Sequence, residues 1–167
     1  MINRISIVGV SGSGKSTLAN KLGNKLELPV FHLDKYFWTT GWKQRYETKA
    51  EFNAFAQELA LKDQWIIDGN YRDTLDVRFD RAEVIILLDI PKWRCLWRAF
   101  IRIFDRKQAI DKPEGVKQKI DWFLVKWIIY YKNNEMREKV LSYSSQKTIF
   151  IAKNNKQIKV VLEKIIG

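Results

Sequence analysis

The stretch Gly9-Val10-Ser11-Gly12-Ser13-Gly14-Lys15-Ser16 follows a β-branched run at residues 2–8. It precedes a helical pattern over 16–26, in which Leu18, Leu22 and Leu26 recur at spacing four. No other feature constrains the fold as tightly, because G-x-x-x-x-G-K-[ST] between a strand and a helix has a physical meaning at every position. Glycines let the backbone curl until successive N–H groups point inward, and the helix N-terminus adds its dipole to the concavity. A glycine-rich turn that merely joins strand to helix has no need of the lysine or the hydroxyl. The pattern therefore predicts a cradle for the phosphates of ATP built from Gly9, Ser11, Gly12, Ser13, Gly14, Lys15, Ser16 and Thr17. Lys15 is expected to reach the β- and γ-phosphates, and the Ser16 hydroxyl to face Mg²⁺.

Strand-like and helical segments alternate along the rest of the chain. Residues 30–33, 65–67, 83–88 and 148–152 read as strands. Helices are expected at 48–62 behind a Thr48 cap, near 72–80, at 92–104 after Pro91, at 119–141 and near 155–166. The polar stretch 105–118, with Pro113 and Gly115, reads as a surface excursion. Such alternation predicts an α/β fold with a parallel sheet covered by helices on both faces. Neither a repeat nor a linker divides the 167 residues, so one domain over 1–167 is expected.

Composition removes several classes. Hydrophobic residues make up 46% and charged residues 29%, which excludes a disordered chain. The single cysteine, Cys95, excludes a disulfide framework, and its place within a helix suits a small buried residue. No run reaches the roughly 18 apolar residues of a membrane helix, and nothing at the N-terminus resembles a signal peptide. A cytoplasmic location is the resulting expectation. The charge stands out, since 30 Lys+Arg against 19 Asp+Glu leaves +11. Either a nucleic acid or a polyanionic small ligand answers such a balance. Residues 92–119 hold nine Lys/Arg against three Asp/Glu, so much of the excess sits in one short region.

A phosphate cradle also needs a carboxylate for the magnesium shell. Asp68 closes the strand at 65–67 and begins Asp68-Gly69-Asn70-Tyr71-Arg72, which suits that role, with a plain Asp-Gly turn as the alternative. Asp89 closes the strand at 83–88 and suits a cap for the helix after Pro91.

With these residues in view a family resemblance emerges. Asp68-Gly69-x-x-Arg72 resembles an element of adenylate-kinase-like nucleotide kinases, in which the aspartate supports magnesium and the arginine grips an acceptor phosphate. His32-Leu33-Asp34, Gly41-Trp42, Trp65 to Tyr71, Leu88-Asp89-x-Pro91 and Cys95-Leu96-x-Arg98 resemble, over roughly residues 2–152, the topology modulation (FlaR-like) family of small P-loop proteins. The resemblance implies a P-loop NTPase fold of the nucleoside/nucleotide kinase type, with strand order 2-3-1-4-5. It also implies a lid-like excursion at about 103–118, and the family name adds an influence on DNA topology. Asn70-Tyr71 stands where adenylate kinases carry Phe-Pro, and no long lid domain is present, which argues against AMP as acceptor. Leu33-Asp34-Lys35-Tyr36-Phe37 is similar to the acceptor loop of uridine-kinase-like and shikimate-kinase-like enzymes, where an aspartate orients or deprotonates a hydroxyl. Asp34 thus points to a hydroxyl acceptor and Arg72 to an anionic one. An acceptor carrying both groups reconciles them; otherwise one of the two residues is structural.

Arg94, Arg98 and Arg102 recur at spacing four along one side of a helix. The resemblance implies that Arg98 and Arg102 close over the phosphates, whereas a solvated basic face is the simpler alternative. Trp65, Trp122 and Trp127 fit core patterns, while Trp38 and Trp42 follow Asp34 and suit a wall against an acceptor ring. His32, inside a strand, is expected to be packed or hydrogen-bonded. The catalytic expectation is therefore Lys15, Asp34, Arg72, Arg98 and Arg102, with Ser16 and Asp68 for the metal, ATP and Mg²⁺ as cofactors, and a small molecule as acceptor. The other expectations are a DNA-associated ATP-binding protein, although no nucleic-acid-binding motif is present, and an NTPase that uses water.

Overall fold

β1 (Arg4–Gly9), β2 (Val30–His32), β3 (Trp65–Asp68), β4 (Val84–Leu88) and β5 (Thr148–Ala152) form one sheet in the order β2-β3-β1-β4-β5, with every pairing parallel. This is the expected order. The structure, a computed structural model, describes residues 2–39, 43–104 and 122–167. β3 and β4 are buried along their whole length, as strands covered on both faces must be, and their Trp-Ile-Ile and Val-Ile-Ile-Leu-Leu runs suit that double burial. α1 (Lys15–Leu26) lies on β1, β2 and β3 and meets α8 (Asn155–Ile166), which packs on β5. A second group of helices is formed by α3 (Lys49–Leu61) and α4 (Leu75–Arg81), which pack on each other and on β3 and β1 respectively. α7 (Asn133–Leu141) lies against β4.

β1 is central, with β3 on one side and β4 on the other. The loops leaving these three strands therefore gather at their carboxyl ends, the edge where open α/β sheets bind ligands.

Four expectations change at this point. β2 stops at His32, and Leu33–Phe37 winds into a short helix, α2, so Asp34 sits in a first helical turn rather than at a strand end. The expected helix over 119–141 is broken. α6 (Trp122–Tyr130) and α7 are separate, because the chain turns at Tyr131-Lys132 to bury the Tyr131 ring and to bring the Asn133 amide 2.9 Å from Asp89. Asp89 accordingly accepts from Asn133, while the Pro91 carbonyl receives the first amides of α5 (Lys92–Phe104). Of the three tryptophans expected in the core, Trp65 is fully buried, but Trp122 is 67% exposed and Trp127 is 45% exposed. α6 buries Ile128 instead, next to Trp127 in the chain, and leaves both tryptophans open among the described residues. Trp42, the Arg102 side chain and residues 105–118 lie outside the described residues.

Candidate active site

The cradle begins where β1 ends. Gly12 has φ +81°, and a Cβ there would lie 2.6 Å from the Cys95 carbonyl, so α5 presses directly on the back of the loop. Gly14, at φ +102°, supplies the left-handed step from which α1 starts. Ser13 N donates to Val10 O at 3.1 Å. Lys15 is buried within the loop, its Nζ donating to Val10 O at 3.2 Å. In this state the lysine rests on its own loop, its charge kept at the centre of the concavity.

Below the cradle, Ser16 Oγ donates to Asp68 Oδ2 at 2.8 Å, and both residues are buried. Parallel pairing explains the meeting, since Ile7 and Asp68 are register partners across β1 and β3. Asp68 Oδ1 is bonded to His32 Nδ1 at 2.6 Å, and His32 Nε2 lies 3.0 Å from Asn20 Oδ1. The expectation that His32 is packed and hydrogen-bonded holds, with the Asp68 carboxylate as its partner.

The donor chemistry beside the cradle suits Mg²⁺. A hydroxyl and a carboxylate oxygen, 2.8 Å apart at the foot of a phosphate cradle, are the hard oxygen donors that ion takes. Among the described residues no group of three or more His, Cys, Asp or Glu could hold a metal by itself. The residues present nonetheless fit the group.

Asn70, read from sequence only as a departure from Phe-Pro, is a clasp. Its Oδ1 accepts from Gly9 N at 2.9 Å and its Nδ2 donates to Gly9 O, so the loop after β3 is fastened to the first residue of the cradle. Tyr71 continues the chain of contacts, its hydroxyl donating to Asp34 Oδ1 at 2.7 Å. Burial, with the adjacent Asp34 carboxylate, pushes the Tyr71 hydroxyl far above its ordinary pKa, so it stays protonated and remains a donor. An aromatic cluster braces the pair: Phe37 lies 4.9 Å from Phe52 and 5.0 Å from Tyr71, with Trp38 edge-on to Phe37 at 4.8 Å.

Arg78 is fully buried and carries the loop from beneath, donating to the carbonyls of Gly69 at 3.1 Å and Thr74 at 3.3 Å. Burial lowers its pKa to about 10, and the nearby Asp68 charge works the other way, so the guanidinium stays charged at neutral pH. Nothing in the sequence distinguished Arg78 from an ordinary helical arginine. Burial is a property of the packed loop.

Arg72 follows Tyr71 and is half-exposed, paired with Glu135 of α7 at 2.8 Å. Arg98 is brought to the cradle, its guanidinium donating to Ser13 O at 2.9 Å and to Asn155 Oδ1 at 2.6 Å. Arg94 instead lies over the Trp93 ring at 5.0 Å. The cradle, Asp68, Asp34 and Arg72 thus share the carboxyl edge of the sheet, linked through Asn70 and Tyr71.

These features define a class by fold: the chain has the P-loop fold of nucleotide-kinase-type proteins. Shikimate kinase from Acinetobacter baumannii superposes with a TM-score of 0.60 at 16% identity, covering 99% of this chain and 92% of that one. Shikimate kinase from Bacteroides thetaiotaomicron gives 0.57 at 21% identity, covering 99% and 96%. Deoxyadenosine kinase from M. mycoides gives 0.50 at 16% identity, covering 97% and 98%. At these identities the likeness is one of fold. In sequence the chain is 27% identical over 139 residues to the uncharacterized protein YqaC of Bacillus subtilis, covering 81% of this chain and 76% of that protein. It is 26% identical over 159 residues to a tRNA dimethylallyltransferase of Mycoplasmoides gallisepticum, covering 92% of this chain but only 48% of that enzyme. No family model matches the chain, so the resemblance to the topology modulation family gains no support there.

Proposed function

We propose that the protein is an ATP-dependent phosphotransferase that moves the γ-phosphoryl group to a hydroxyl of a small acceptor that also carries an anionic group. Nucleotides and hydroxy acids carry both groups and come first in the range to search, and the nucleotide-kinase type of the resemblance belongs to the same reading. Nucleosides and other neutral hydroxyl metabolites belong to the version in which Arg72 is structural. The observation that carries it is the continuous contact path Gly9–Asn70–Tyr71–Asp34, which couples a phosphate cradle to a carboxylate held by a neutral donor. A bare NTPase has no use for that coupling.

In this reading the backbone N–H groups of the cradle, with Lys15, hold the triphosphate. Ser16 and Asp68 hold Mg²⁺, which supplies charge neutralisation between the phosphates when bound. Asp34 takes the acceptor hydroxyl proton as the new O–P bond forms and the bond to the β-phosphate oxygen breaks. Arg72 leaves Glu135 for the acceptor's anionic group, and Arg98 offsets charge at the cradle.

A coupled assay of ADP release across nucleosides, nucleotides and hydroxy acids tests this. One acceptor class is expected to stimulate turnover strongly, with Asp34→Asn losing the stimulation but retaining ATP affinity. ATP turnover unchanged by any acceptor would reject it. A second reading, contact with nucleic acid, is favoured by the +11 charge and by the sequence likeness to a tRNA-modifying enzyme. It predicts binding that weakens steeply with salt.

A further inference from the structure

Two side chains behind Asp68 have no part in the reaction just outlined, yet their placement is too specific for packing alone. His32 and Asp68 are register partners in the parallel β2–β3 pair, so the sheet itself sets their side chains next to each other. Nδ1 of the ring donates to Asp68 Oδ1 at 2.6 Å, and Asp68 Oδ2 is left for Ser16 at 2.8 Å. The other ring nitrogen meets Asn20 at 3.0 Å. Ser16 and Asn20 are one turn apart on α1, at i and i+4, hence on the same face. The four side chains close a ring that leaves α1 at Ser16, crosses β3 and β2, and returns to α1 one turn later. Ser16, His32 and Asp68 are all buried.

A carboxylate held only by a hydroxyl can swing about its χ2 bond. With a second donor fixed on its other oxygen, it presents one oxygen edge in one direction. Asn20 fixes the imidazole plane in turn. Its amide can meet Nε2 with the oxygen or, turned over, with the NH₂ group, so the contact to Asp68 survives whether the ring carries one proton or two.

We propose that His32, backed by Asn20, is the positioning residue for the divalent ion. It aims the Asp68 carboxylate at the ion beside Ser16, so the Mg²⁺ dependence of nucleotide binding is set by His32. The inference rests on the reading of Asp68 as the metal-shell carboxylate. Outer contacts of this kind change metal affinity by about 10- to 100-fold when removed.

Calorimetric ATP binding across a Mg²⁺ titration, paired with Mn²⁺ binding to the protein–ADP complex by electron paramagnetic resonance, provides the test. His32→Leu is expected to raise the Mg²⁺ midpoint by about 10- to 100-fold while ATP affinity in EDTA stays as it was. His32→Asn, whose amide nitrogen can occupy the place of Nδ1, is expected to recover most of the shift. His32→Gln, which reaches the Nε2 place instead, is expected to recover little. Asn20→Ala, at a partly open position, should raise the midpoint by a smaller factor and provides the same readout if His32→Leu does not fold. An unmoved midpoint in Asn20→Ala and the folded His32 variants overturns the proposal, as does equal loss of ATP affinity with and without metal. If Asp68→Asn also leaves the midpoint unmoved, the reading of Asp68 itself fails. If Asp68→Asn shifts it and the His32 and Asn20 variants do not, only the role of His32 fails.

Discussion

The two halves of the candidate site are built differently. On the cradle side, Ser16, Asp68 and His32 are buried and bonded to one another, Asn70 clasps Gly9 twice, and Arg78 supports the loop from inside. On the acceptor side, Arg72 is half-exposed and leans on an exposed glutamate, while Asp34 sits on a helix of five residues held by aromatic contacts. The first arrangement is fixed before a ligand arrives, as stabilisation of developing charge requires. The second consists of contacts that a ligand can exchange, which on the proposed reading suits the selection of an acceptor.

Mutations should separate the two sides, beginning with the largest effect. Lys15→Ala is expected to lower ATP turnover by about 100- to 1000-fold, read as ADP release. Arg72→Ala should leave ATP affinity intact and raise the acceptor KM. Equal damage to both substrates from Arg72→Ala would erase the distinction. Asn70→Ala breaks both side-chain bonds to the Gly9 backbone, and should cost about 1–3 kcal/mol in urea unfolding together with ATP affinity. Stability lost without any change in ATP binding would make Asn70 a fold residue alone.

Alkaline pH gives a finer comparison. Burial raises the pKa of Tyr71 and Tyr131, so above about pH 10 the unfolded chain releases protons that the folded chain keeps, and stability falls. Arg78, lowered to about 10, acts in the opposite sense above that pH, because there the folded chain releases its proton first. Tyr143 and Tyr46 are raised as well, so the tyrosines outweigh the single arginine and the net change is a loss of stability as pH rises. Tyr131→Phe should reduce that slope by at most about 1.4 kcal/mol per pH unit, the share of one proton. At neutral pH the same change should be nearly silent, because the Tyr131 hydroxyl is buried with no partner among the described residues. The smallest effect is expected from Glu135→Gln, with an unchanged melting temperature but a lower acceptor KM as Arg72 is freed. A raised KM would mean that Glu135 orients Arg72 for the acceptor rather than occupying its place.

Much of this site was legible in the residues because its parts are local. The cradle is a run of eight positions whose glycines, lysine and hydroxyl each answer a backbone or phosphate requirement. The strand order followed from the resemblance those residues carry. Less could be read where partners lie far apart in the chain. Asn70 and Gly9 are separated by 61 positions, and Arg72 and Glu135 by 63. The even apolar spacing through 119–141 concealed a break, because periodicity reports which residues prefer burial and does not report where the helix ends.

By itself the sequence determined the parallel α/β architecture and the phosphate cradle, since strand and helix periods and a glycine–lysine–serine loop act within a few residues of themselves. Tertiary structure alone decided that His32 faces Asp68, that Asn70 closes on Gly9, and that Arg78 is buried beneath the loop. Those contacts depend on sheet register and on which helix covers which strand, and both are set only when the whole core packs.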